Sequence, residues 1–127
     1  MQEKLLFEYA VIRVVPRVER QEFFNVGVIM YCAAAGFLQT KYELNKKKIA
    51  TFCKEIDIDD LQKRLLVFEQ ICKADKNAGP IAALPLAGRF RWLTAVRSTI
   101  VQTSPVHPGF SDNLEATLEK LFETLVL

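Results

Sequence analysis

The residues able to do chemistry fall in two stretches of the chain. The first surrounds an expected hairpin and holds Arg13, Arg17, Arg20, Glu22 and Asn25. The second, residues 89–109, reads RFRWLTAVRSTIVQTSPVHPG and contains the single Trp (Trp92), the single His (His107), Arg89, Arg91 and Arg97, and no acid. Ser98, Thr99, Gln102 and Ser104 add hydroxyl and amide groups there. Arginine's planar fork matches phosphate and carboxylate, and hydroxyls supply neutral donors beside it. If the two stretches converge in space, they form an anion pocket for a phosphorylated metabolite, a nucleotide or an acidic peptide. The competing reading keeps the charges internal. Arg13 and Arg97 would then pair with Glu8, Glu22 or the acidic last helix, a common way to accommodate a partly buried arginine.

His107 sits between Pro105 and Pro108, which restrict its backbone and would hold the ring ready for proton transfer. The plainer role is a structural hydrogen bond. An enzyme also wants a nucleophile with a base, or paired carboxylates. Ser98, Thr99 or Ser104 would have to serve as nucleophile beside His107, and the only acids within either stretch, Glu19 and Glu22, belong to the first. No P-loop, GxGxxG, GxSxG or HExxH motif occurs. Phe90 and Trp92 interleave with arginines as stacking platforms would, but they read better as core, so nucleic-acid binding is not expected. The lysines at 46–48 read as a solvated face.

Composition narrows the classes. The 127 residues suit one domain (1–127) with a single core; half are hydrophobic and a quarter charged, an ordinary globular balance. A net charge of +2 implies no global attraction to nucleic acid or membrane. The charge is uneven: residues 111–127 carry four acids against one lysine. Cys32, Cys53 and Cys72, spaced 21 and 19 apart, make no CxxC pair, so no metal site and no cofactor are expected. They read as small buried hydrophobes in a reducing cytosol. Glu3 and Glu8 break any signal-peptide core, and no apolar run approaches the roughly 20 residues that span a bilayer. A cytoplasmic protein without membrane contact is expected.

The positioning elements follow from period and punctuation. Residues 5–15, 23–32 and 37–44 are rich in β-branched and aromatic side chains and read as three strands of an antiparallel meander. Gly27 suggests a bulge or a close backbone approach. A short helix starts at Asn45. A longer one, capped by Asp57 or Asp59, buries Ile58, Leu61, Leu65, Phe68 and Cys72 at spacings of 3, 4, 3 and 4 and stops near residues 77–80. Residues 81–88 read as a docked loop around Pro85, residues 90–93 and 98–102 as short strands, and SPVHPG as a loop. Ser111 or Asp112 caps a last helix with an apolar stripe of Leu114, Leu118, Leu121, Phe122 and Leu125. The class is α+β: a mostly antiparallel sheet, β-β-β-α-α-β-(β)-α, with helices on one face.

Two segments carry a resemblance. Residues 9–32 contain Y-x-V-x-R-x-x-P (Tyr9, Val11, Arg13, Pro16) and then R-x-E-F-x-N-x-G-V (Arg20, Glu22, Phe23, Asn25, Gly27, Val28). Residues 89–126 contain R-S-T-x-x-Q-x-S-P-V-H-x-G, from Arg97 to Gly109. Over about half the chain these motifs resemble the bacterial domain-of-unknown-function family 3037. Val96 and Pro108 depart from its pattern, where a Pro precedes Arg-Ser-Thr and a Thr follows the His. The resemblance brings no established activity. Through neighbouring genes for HipA-like kinases it implies an accessory or regulatory subunit.

The expectation is a non-catalytic binding or accessory module. Arg13, Arg20, Glu22, Asn25, Arg97, Ser98, Thr99, Gln102, Ser104 and His107 would form its site for an anionic ligand or a protein partner. The alternative is a small enzyme acting on a phosphorylated or acidic substrate, with His107 as general acid/base and Arg97 as anion clamp.

Overall fold

The computed structural model describes residues 4–16, 22–52, 56–97 and 99–127. Three strands, β1 (Leu5–Val14), β2 (Phe24–Cys32) and β3 (Phe37–Tyr42), are followed by helices α1 (Lys46–Phe52), α2 (Ile58–Cys72) and α3 (Leu86–Leu93). Strands β4 (Val101–Thr103) and β5 (His107–Ser111) and helix α4 (Leu114–Leu125) complete the chain. Every pairing in the sheet is antiparallel. The order is β3-β2-β1, and the far edge of β1 is shared: residues 5–9 pair with β5 and residues 12–14 with β4.

Alternation along β1 sends Ala10, Ile12 and Val14 to one face, where they meet Leu61, Leu65, Phe68 and Ile71 of α2 and Phe90 and Leu93 of α3. Tyr31 stacks on Phe90 at 4.9 Å between ring centroids, joining β2 to α3. Phe7 goes to the other face and joins Val28, Met30 and Cys32 of β2 under Leu118 of α4. A bulge in β2 shifts its alternation, so Phe24 and Val26 face the same side as Ile29 and Tyr31. Ile12 pairs with Gly27 but Arg13 with Asn25, so Val26 is the extra residue. Beside it Gly27 lets β3 come close, since a Cβ there would lie 2.6 Å from the Lys41 carbonyl oxygen.

The α+β class and the antiparallel meander are as expected, and three sequence expectations change. Helices cover both faces of the sheet, not one: α2 and α3 pack on one side and α4 on the other. Residues 90–93 belong to a helix, because Leu86, Phe90 and Leu93 repeat at 4 and 3 residues and Pro85 stands just ahead of the first turn, where its missing N–H costs nothing. Residues 107–109, read as loop, open β5, where an edge strand tolerates Pro108.

Smaller shifts concern the ends. Strands β1, β2 and β3 stop or start one or two residues inside the expected bounds. Strand β4 begins only at Val101. Asp57 caps α2, which ends at Cys72 rather than near 77–80, where two short 3-10 turns follow. Asn113, not Ser111 or Asp112, caps α4 by accepting the Ala116 N–H at 3.1 Å. Cys32 and Cys72 are buried as expected, and burial pushes the Cys72 thiol up to about 12; Cys53 lies outside the described residues.

Candidate functional site

Helix α4 packs chiefly on β2 and β3 and shares a cluster with Phe7 of β1, on one face of the sheet. Arg13 projects there, opposite to Ile12 and Val14. Its register partners are Asn25 on β2 and Gln102 on β4, so three polar residues from both stretches of the sequence form one row across the sheet. Farther along β1, His107 pairs with Tyr9, with ring centroids 5.5 Å apart, and is exposed.

Arg13 is half-buried, and its guanidinium rests 4.0 Å over the centroid of the Phe23 ring. Burial pulls its pKa below the ordinary arginine value. Its Nε is buried and has no hydrogen-bond partner among the described residues. Asn25 donates from Nδ2 to the Leu125 carbonyl at 3.0 Å, holding the end of α4 to the sheet, while its buried Oδ1 has no donor. Strand neighbours thus offer one unmet donor and one unmet acceptor.

Ser104 has a different task. Between the Ile12–Thr103 and Tyr9–His107 pairs, the β4–β5 edge has one residue more than β1. Ser104 bridges the irregularity. Its N–H donates to the Val11 carbonyl and its Oγ accepts the Val11 N–H, each at 2.8 Å. The same hydroxyl donates to the Pro105 carbonyl at 2.9 Å. It is buried and fully occupied in the ladder.

The remaining arginines separate by role. Arg89 donates to the Ile71 and Cys72 carbonyls at 3.1 and 2.9 Å, closing the end of α2. Arg91 pairs with Glu8 at 2.8 Å, and Glu119 of the acidic helix pairs with Lys41. Arg97 stacks 4.0 Å over Trp92, donates to the Trp92 carbonyl, and has no carboxylate partner among the described residues. Burial pulls its pKa down as well. It lines a cleft of about 250 Å3 between α2 and β4, walled by Val67, Phe68, Ile71, Trp92 and Leu93.

Thr99 lines the same cleft, but its hydroxyl is turned to the Val101 carbonyl at 2.7 Å. Gln102, whose Nε2 donates to the Thr99 carbonyl at 2.8 Å, borders both the cleft and the Arg13 row. The sequence-selected residues therefore occupy two places. Arg13, Asn25, Gln102 and His107 share the α4 face of the sheet, and Arg97 and Thr99 line the cleft. Ser104 is in the ladder, Glu22 is exposed just ahead of β2, and Arg20 and Ser98 lie outside the described residues.

Sequence reading missed Phe23 as the platform under Arg13, although it stands beside Glu22 in the first motif. It left out of the site Thr103, one of the hydroxyl residues of the second stretch, which lines the cleft and whose buried Oγ1 has no partner among the described residues. The polar threonine in an otherwise apolar-facing strand position was the available signal. No group of three His, Cys, Asp or Glu placed to hold a metal ion occurs among the described residues, and none of their helices is long and apolar enough to cross a membrane.

No curated protein and no solved structure matches the chain. A family model described as "Protein of unknown function (DUF3037)" matches residues 9–126, a span that takes in the Arg13 row, the Ser104 bridge and the cleft. Nearly the whole chain is thus matched, and the protein belongs to the DUF3037 family.

Proposed function

We propose that the chain is a non-catalytic binding module whose polar row around Arg13 receives an acidic segment of a protein partner. The observation that carries this reading is the unmet pair at Arg13 Nε and Asn25 Oδ1 on adjacent strands. A buried polar group without a partner costs about 1–3 kcal/mol, and a ligand that satisfies it recovers that cost. A bare phosphate meets only the arginine. A peptide with an Asp or Glu side chain brings a carboxylate for Arg13 and a backbone N–H for Asn25 together. Phe23, 46% exposed, adds an apolar contact of the kind found at interface centres. The occupied Ser104 hydroxyl, which leaves His107 without that nucleophile, supports the non-catalytic side of the reading.

The test is affinity capture from the native host with the tagged wild type and Arg13→Gln side by side, at low and moderate salt. HipA-like kinases, suggested by the family resemblance, are the first partners to look for. The expected result is one acidic-surfaced protein retained by the wild type, released by salt and lost in Arg13→Gln, with Arg97→Gln still retaining it. Equal capture by the wild type and Arg13→Gln, or none by either, would refute the reading.

A further inference from the structure

The cleft between α2 and β4 meets the Arg13 row only at Gln102 and has its own unmet groups. Its walls are mostly apolar, with Phe68, Ile71 and Leu93 buried and Val67 and Trp92 exposed at the mouth at 43% and 39%. At about 250 Å3 it is near the small end of the range of ligand sites, about 300–1,000 Å3. Thr99 and Gln102 direct their side-chain donors to nearby carbonyls, and two further polar residues of the lining stand out. Arg97 brings a cation with no carboxylate partner among the described residues, while Arg64, the other cation in the lining, is paired with Asp60 at 2.8 Å. Thr103 brings a buried hydroxyl with no hydrogen-bond partner among those residues.

We infer that this cleft binds a small apolar carboxylic acid bearing a second polar oxygen, such as an aryl or branched-chain hydroxy acid. The apolar body lies against Val67, Phe68 and Ile71. The carboxylate takes the guanidinium of Arg97, and the second oxygen satisfies the Thr103 hydroxyl. A fully apolar ligand would leave both polar groups unmet. A highly charged one would have to desolvate its extra charges against the apolar walls.

Trp92 is the only tryptophan in the chain and lines the cleft under Arg97, so its emission reports occupancy directly. The experiment titrates the folded protein with phenyllactate, 3-phenylpropionate and 3-phenyl-1-propanol, which separate hydroxyl from carboxylate. Phenyllactate is expected to give a saturable emission change and to bind about tenfold more tightly than phenylpropionate, with the alcohol weaker still. Thr103→Val, an isosteric change at an unpartnered hydroxyl, is expected to keep the fold and equalise the two acids. Arg97→Gln is expected to abolish the preference for acids over the alcohol. The inference is overturned if phenyllactate gives no saturable change, if acid and alcohol bind alike in the wild type, or if Thr103→Val keeps the hydroxyl preference. The wild-type series decides the matter even where a variant fails to fold.

Discussion

Val11 carries a buried N–H toward the place where β4 and β5 part, and the Ser104 hydroxyl accepts it at 2.8 Å. Sequence reading placed Ser104 among the site residues because hydroxyls near a histidine suggest chemistry. The partner that assigns its role lies 93 residues away in the chain. Ser104→Ala is expected to lower stability by about 1–3 kcal/mol, because the Val11 N–H then loses its acceptor in a buried place. Urea denaturation measures this, and an unchanged midpoint would mean that water takes over the bond. Arg13 is legible in a different way. The strand alternation already placed an arginine among apolar neighbours, which is costly without a partner. Where that partner would lie was not legible, because the neighbours, Asn25 and Gln102, come from separate strands.

At the scale of elements, apolar period decided what the sequence revealed. Helix α2 shows four of its five expected stripe residues buried, and Leu65→Ala is expected to cost about 2–5 kcal/mol as a cavity opens in the core. A variant as stable as the wild type would remove Leu65 from the core. Helix α3 is hidden by Pro85, which reads as loop punctuation, whereas packing on Tyr31 and α2 holds the helix. Strand β5 was hidden by two prolines, and it forms because β1 needs pairing along its whole edge. Gly109 admits the Phe7 ring across β5: a Cβ there would come within 2.5 Å of Phe7 Cζ. Gly109→Ala is therefore expected to destabilise by about 1–3 kcal/mol in the same denaturation assay. Full wild-type stability would show that Phe7 swings aside without cost.

The contact between β3 and α2 has a pH signature. Tyr42 Oη donates to Glu69 at 3.0 Å, and burial, then this bond, push the phenol up to about 12. The unfolded phenol ionises near about 10. Above that pH the unfolded chain has released a proton that the folded chain keeps. The contribution is thus fully present below about 10 and lost as pH rises through about 12. Tyr42→Phe is expected to show a shallower loss of stability across that window than the wild type, read from unfolding midpoints against pH. Parallel curves would contradict the assignment.

For the whole molecule, the placement of helices on both faces of the sheet determines where binding is available. Helix α4 packs chiefly on β2 and β3, on the face that carries the Arg13 row, while α2 and the turn after α3 shape the cleft on the opposite side. Fold class and strand meander were readable from composition and period. The two-sided arrangement was not, because an amphipathic helix such as α4 shows that it has a buried face but not which side of a sheet receives it. The division of one polar list into two places follows from that same arrangement.

The most direct test of the central claim watches the arginine side chains themselves. In a nitrogen-15 spectrum of Arg Nε–H groups, titration with hexaglutamate peptide is expected to shift the Arg13 resonance in a saturable way and slow its exchange with water. Arg91, already paired with Glu8 at 2.8 Å, is expected to stay in place. A peptide that moves Arg13 and Arg91 alike, or neither, would contradict the assignment of the Arg13 strip as an acceptor of acidic partners.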